Sequence, residues 1–205
     1  MKITIINGSP RKQSGITARL LRVMEERLPG CEISHGWEEP CDAILIAFPL
    51  YVDGIPSNLL RDLIDHEHSL PPGTRVYALV NNGFYEGEQN ATAISMLRNW
   101  CERAGLAWGQ GVGIGAGEIL KREPLMAMAT VMARGPLKKY NAALDALAGH
   151  ILSGGSGTAP IAFGAEDIYT RPGMTRGMYI FGGNISFRAG AKQNGLSRRD
   201  TKRKL

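Results

Sequence analysis

The sequence predicts an α/β fold, an open parallel sheet with helices on both faces. Three observations carry this. Short, continuously apolar runs of the kind buried on both faces alternate with amphipathic stretches at three- and four-residue spacing. Five such β/α alternations follow one another. The chain of 205 residues, 43% apolar and 21% charged, suits one domain with a substantial core.

The elements follow in order. "KITII" (2–6) is the first strand. A helix runs from Thr17 to Leu28 on Leu20, Leu21, Met24 and Leu28, and Pro29-Gly30 stops it. "CEISHGW" (31–37) is a weak second strand and "DAILIAF" (42–48) a strong third. Pro56 opens a helix to about His66, with Leu59, Leu60, Leu63 and Ile64 as its apolar stripe. "RVYALVNN" (75–82) is the fourth strand, and Glu88 to Ala104 is a helix bearing Ile94, Leu97 and Trp100. "WGQGVGIGAG" (108–117) is a glycine-rich fifth strand and loop, its glycines admitting close backbone approach. A helix from Pro136 to Leu152 closes a body of residues 1–152. "SGGSG" (153–157) then forms a flexible joint to an extension over residues 153–205.

Composition excludes several classes. No apolar run approaches the roughly 20 residues that span a bilayer, and no signal peptide is expected ahead of the first strand. Cys31, Cys41 and Cys101 are too scattered for a disulfide framework or a CxxC metal site, and too few for an iron–sulfur cluster. No membrane and a reducing cytoplasm are the expected setting. The net charge of +5 is local: from Ser186 onward the chain carries +6, leaving −1 for everything before it. That basic tail reads as a solvated end, so no specific nucleic acid is expected. His66 and His68 point apart on a helix and read as surface rather than metal ligands. "LMAMATVM" (125–132) reads as core packing or as an apolar lid.

The chemistry lies in the loops after the first, third and fourth strands, where ligands of such sheets bind. In "NGSPRKQSGIT" (7–17), the requirements of other phosphate loops are missing. A nucleotide-hydrolase loop needs GxxxxGK[ST], but Gln13 stands five residues after Gly8. GxGxxG is absent here, and "GVGIGA" (111–116) precedes Gly117-Glu118 rather than a helix. There are no paired acids for Mg²⁺ and no cysteine nucleophile. What remains is Ser9, Ser14, Thr17 and Arg11 beside a helix N-terminus: donors that hold a phosphate but cannot cleave it. "FPLYVDGIP" (48–56) offers apolar side chains and backbone N–H groups suited to a flat ring, and "NNGFYEG" (81–87) is a second such loop or plain turn chemistry.

These residues resemble the NAD(P)H-dependent FMN reductases and iron–sulfur flavoproteins of the flavodoxin superfamily. The motifs are "GSPRKQSGIT" (8–17), "FPLYVDGIPSNLLRDLID" (48–65) and "NNGFYEG" (81–87), and "GNISFRAGAKQNGL" (183–196) resembles an extension of some members. Relatives often carry Ser-Asn-Thr where this chain has Gly15-Ile16-Thr17. The resemblance implies a flavodoxin-like, doubly wound, five-stranded parallel sheet in the order 2-1-3-4-5. It implies FMN, its phosphate on Ser9, Arg11, Ser14, Ile16 and Thr17, and its ring against Pro49, Leu50, Tyr51, Val52, Asn82, Gly83, Phe84 and Tyr85. It implies an oxidoreductase drawing hydride from NADPH or NADH and reducing a flavin, quinone or other small acceptor. The chemistry is on the flavin, so no catalytic side chain is assigned; Tyr85 and Glu86 are candidates for lining the substrate space. A flavodoxin-type electron carrier is the alternative. Met178, Tyr179, Phe181, Ile185 and Phe187 in the extension are too apolar to stand in water, which points to a homodimer or homotetramer.

Overall fold

The computed structural model describes residues 1–37, 41–121, 135–154, 166–197 and 200. Six strands form one parallel sheet in the order β2-β1-β3-β4-β5-β6. They are β1 (Lys2–Asn7), β2 (Glu32–His35), β3 (Ala43–Pro49), β4 (Arg75–Asn81), β5 (Ala107–Ile114) and β6 (Ile168–Thr170). The expected order 2-1-3-4-5 is present; the sixth strand corrects the expected count. At three residues, β6 is too short to show a period in the sequence.

The helices of the body are α1 (Ile16–Glu25), α2 (Ser57–Asp65), α3 (Ala91–Arg103) and α4 (Lys138–Gly154). Both sheet faces are covered, as the unbroken apolar strands require. Ile3, Ile5, Leu45 and Leu79 pack with Leu20, Met24, Leu144 and Leu147 of α1 and α4. Ile44, Ile46, Phe48 and Val80 pack with Leu59, Leu63, Ile94 and Leu97 of α2 and α3.

Several boundaries differ from the sequence reading for visible reasons. α1 stops at Glu25 because Arg27 and Leu28 donate to Met24 and Glu25, tightening the last turn, yet Leu28 stays buried. The stripe of α2 is narrower than expected: Leu59 and Leu63 are buried, while Leu60 and Ile64 are 40% and 60% exposed. α3 is preceded by a 3₁₀ turn over Gly87–Asn90, held by Asn90 Nδ2 donating to Gly87 O at 2.9 Å. α4 continues through Ser153 and Gly154, so these two residues are helix rather than joint; the rest of that joint (155–157) lies outside the described residues. The segment 125–132 also lies outside them.

The compact body runs to Pro172, and Gly173–Leu205 forms a second unit. That unit contains a helix the sequence reading did not assign, α5 (Arg176–Gln193). Thr175 caps it by accepting from the Met178 N–H, and Gly195 beyond its end has a left-handed φ of 73°. None of its side chains is buried.

Candidate functional site

The first loop leaves β1 tightly. Gly8 donates to Ala47 O at 2.8 Å, and a Cβ there would stand 2.5 Å from Leu59 Cδ2, so only glycine fits against α2. Asn7 wraps the loop: its Oδ1 accepts from Ser9 N–H at 3.0 Å and its Nδ2 donates to Lys12 O at 2.5 Å. Asn58 Nδ2 of α2 donates to Gly8 O at 3.1 Å. Ser9 is buried, and its Oγ accepts from Arg11 N–H at 3.2 Å, which leaves the hydroxyl proton to donate elsewhere. Arg11 and Ser14 are exposed.

These groups converge on the start of α1. Gly15 is extended there and no side chain caps the helix, nor does its first turn hold an acid. Its leading N–H groups, with the positive end of the helix dipole, are therefore available to an anion. A Cβ at Gly15 would stand 3.5 Å from Ser9 Oγ and 3.8 Å from Arg11 Cβ, which places all three at one corner. Ile16 contributes backbone only, because its side chain joins the core. Thr17 behaves differently from its expected part as a phosphate donor. Its buried hydroxyl donates to Asn81 Oδ1 at 2.8 Å, tying α1 to the end of β4.

The second loop continues β3. Leu50 donates to Asn81 O at 2.8 Å, and Tyr51 and Gly54 exchange backbone hydrogen bonds of 3.2 and 2.9 Å. Between them Val52 and Asp53 both have left-handed φ, 47° and 54°. Two consecutive left-handed residues define a type I′ turn, which ordinarily selects Asn and Gly. A β-branched valine there is strained, and Val52 is also fully exposed. Beside this turn opens a cleft of about 790 Å³, bounded by Pro10, Tyr51, Pro56, Asn58, Thr92 and Met96. Pro49 and Leu50, which lead into the turn, are half-buried.

The third loop continues β4. Asn82 is buried and donates through Nδ2 to Glu86 O at 3.2 Å, while its Oδ1 is buried without a hydrogen-bond partner among the described residues. Gly83 and Phe84 are exposed, Phe84 by 55%. Ala116 donates to Phe84 O and Gly117 to Asn82 O, so the end of β5 supports this loop from below. The half-buried Tyr85 ring carries the guanidinium of Arg171, 5.7 Å from its centroid.

The sequence reading missed Asn7, Asn58, Asn81 and Arg171. Asn7 has a visible signal, since an asparagine before Gly-Ser commonly bonds the backbone two residues on; Arg171 has none, because it follows an unrecognised strand. The glycines of "GVGIGA" serve packing: a Cβ at Gly113 or Gly115 would meet Gly87 O at 2.9 Å or Tyr85 O at 2.5 Å. His66 stacks on Trp37, ring centroids 4.5 Å apart, and no cluster of metal ligands occurs among the described residues.

A doubly wound sheet in this order, with three loops gathered at its carboxyl edge, is a flavodoxin-like fold. Among solved structures it resembles an NADH:FMN oxidoreductase in its apo form, 18% identical, with 78% of this chain and 93% of that one covered at a TM-score of 0.52. A flavodoxin variant from Pseudomonas aeruginosa is 17% identical over 74% of this chain and 99% of its own, at 0.48. A NAD(P)H:(acceptor) oxidoreductase flavoenzyme from Paracoccus denitrificans is 16% identical over 52% and 74%, at 0.44. At these identities the likeness speaks to the fold. No protein-family model matches the sequence, and no curated protein does.

Proposed function

We propose that the protein is an FMN-dependent oxidoreductase that takes hydride from NADPH or NADH and passes electrons to a flavin, a quinone or another small acceptor. The observation that carries this reading is the uncapped start of α1 beside Ser9, Arg11 and Ser14. It is an anion site with no nucleophile or metal cluster near it among the described residues, so it holds a phosphate without breaking it. The residues present fit FMN: one phosphate corner, then two loops beside it, one with an open cleft and one with an unpaired buried acceptor at Asn82 Oδ1.

FMN, when bound, supplies the hydride acceptance and onward electron transfer. The chain's own part is binding and orientation. Arg11 and Ser14 give charge-assisted bonds to the phosphate, with Ser9 donating from its buried position. Pro49 to Val52 and Asn82 to Tyr85 flank the space for the ring, and the hydrogen-bonded turn at Val52-Asp53 shapes the first of these walls. The three free cysteines suit a reducing cytoplasm.

The test is anaerobic mixing of FMN-loaded protein with NADH and then NADPH. Bleaching of the flavin within seconds is expected. If neither nucleotide reduces it at millimolar concentration while dithionite does, the protein is an electron carrier.

We also propose a homodimer or homotetramer, supported by the exposure of Met178, Phe181, Ile185 and Phe187, between 51% and 67% each.

A further inference from the structure

The sixth strand brings a cation to the ring loop. Asp167, just before β6, fixes the strand's position: its Oδ1 accepts from Gly111 N–H at 2.8 Å and Trp108 Nε1 at 3.3 Å, and its other oxygen pairs with Arg98. Gln110 Nε2 donates to Glu166 O at 3.0 Å. Thr170 then lies backbone to backbone with the ring loop. A Cβ on Gly87 would stand 2.4 Å from Thr170 O, and Gly115 donates to that same oxygen at 2.9 Å. With both ends of β6 fixed, Arg171 has little choice of place, and its guanidinium rests over Tyr85. No carboxylate among the described residues forms an ion pair with it.

We propose that Arg171 binds a phosphate of the nicotinamide nucleotide, a step that rests on the oxidoreductase reading above. FMN has a single phosphate, and the first loop already offers its site. That loop follows β1, whereas Tyr85, under the guanidinium, belongs to the loop after β4, two strand positions away, or about 10 Å between strand axes at ~4.8 Å each. One phosphate cannot occupy both places. An anion drawn to Arg171, beside the residue expected to flank the ring, therefore belongs to the second substrate. A reduced nicotinamide nucleotide carries a pyrophosphate, and NADPH carries a 2′-phosphate as well. The stacked guanidinium keeps its edge N–H groups free for two parallel bonds to phosphate oxygens.

The experiment titrates adenosine 2′,5′-bisphosphate and ADP-ribose into FMN-loaded protein by calorimetry, for the unaltered chain, Arg171→Ala and Arg171→Lys. Neither probe can transfer hydride, so binding is read without turnover. Arg171→Ala is expected to weaken one or both probes about ten- to a hundredfold, Arg171→Lys to weaken them less, and FMN affinity to stay unchanged. Loss confined to the bisphosphate assigns the 2′-phosphate, and equal loss for ADP-ribose assigns the pyrophosphate. Unchanged binding of both probes, or no binding by the unaltered chain, overturns the proposal while leaving FMN binding intact. A protein that takes up no FMN overturns the oxidoreductase reading itself.

Discussion

Two hydroxyls of the first loop, Ser9 and Thr17, read alike in the sequence, yet the structure gives their protons different roles. Ser9 accepts a backbone N–H and keeps its proton, whereas Thr17 gives its proton to Asn81 in the buried seam between α1 and β4. The spacing of donors along the loop was legible in the sequence. The partner of Thr17 was not, because it lies 64 residues away on another strand. The two sites should respond differently to substitution. Arg11→Ala and Ser9→Ala should weaken FMN more than riboflavin, by about ten- to a hundredfold from a charge-assisted bond worth roughly 1.5–3 kcal/mol. Parallel titrations by flavin fluorescence check this, and equal losses for the two flavins would remove the phosphate site. Thr17→Val should instead lower stability by about 1–3 kcal/mol in urea unfolding, since it strands a buried Asn81 oxygen. At Cys101, burial pushes the thiol up to about 12, so it remains protonated through neutral pH. Ellman's reagent at pH 8 should report two fast thiols, from the half-buried Cys31 and Cys41, and a third only after denaturation. Three fast thiols would contradict the packing of α3 against the sheet.

The strands and helices that a periodic pattern announces are the ones the sequence reveals: β1, β3, β4, and α1 to α4, although in α2 only Leu59 and Leu63 of the expected stripe are buried. β6 and α5 escaped for opposite reasons. β6 is a strand of three residues held by the adjacent Asp167 to Gly111, Trp108 and Arg98, far back in the chain, and no local pattern encodes that. α5 has apolar side chains distributed around its whole circumference and three internal glycines besides Gly177, at 182, 183 and 190, so neither a stripe nor good propensity marks it. The glycine-rich β5 was legible as a place of close approach, though not what approaches. Gly115 separates Tyr85 and Gly87 backbone from its own by less than a methyl group, with a Cβ at 2.5 and 2.6 Å. Gly115→Ala should therefore destabilise by about 1–3 kcal/mol, lowering the melting temperature by ~2–4 °C per kcal/mol, and should also weaken FMN by displacing the third loop. Gly149→Ala is the contrast, because nothing lies within 4 Å of a Cβ there in the middle of α4. It should stabilise by about 0.5–1 kcal/mol through helix propensity alone. Thermal melts of the two variants separate close approach from a general cost of replacing glycine.

At the scale of the whole molecule, charge and apolar surface are both concentrated in the last part of the chain. The body up to Pro172 buries its apolar strands on both sides and contains the loops assigned to the flavin. The unit from Gly173 holds exposed Met178, Ile180, Phe181, Ile185 and Phe187 within a single helix. No described helix is long and apolar enough to cross a membrane. A helix lying on a bilayer surface keeps one apolar and one charged face, whereas α5 separates no such faces: Asn184, Arg188 and Lys192 are interspersed with its apolar residues. Exposed aromatic and aliphatic side chains spread along a helix call for a covering surface. Association of copies through α5 satisfies that requirement, and it predicts a mass two or four times the 22.2 kDa of one chain by light scattering at micromolar concentration. The paired substitution Phe181→Ser and Phe187→Ser should lower that mass toward the single chain without changing FMN affinity, since both residues lie outside the body that holds the three loops. A monomeric mass for the unaltered protein would assign these side chains to cover within their own subunit and remove the oligomer proposal.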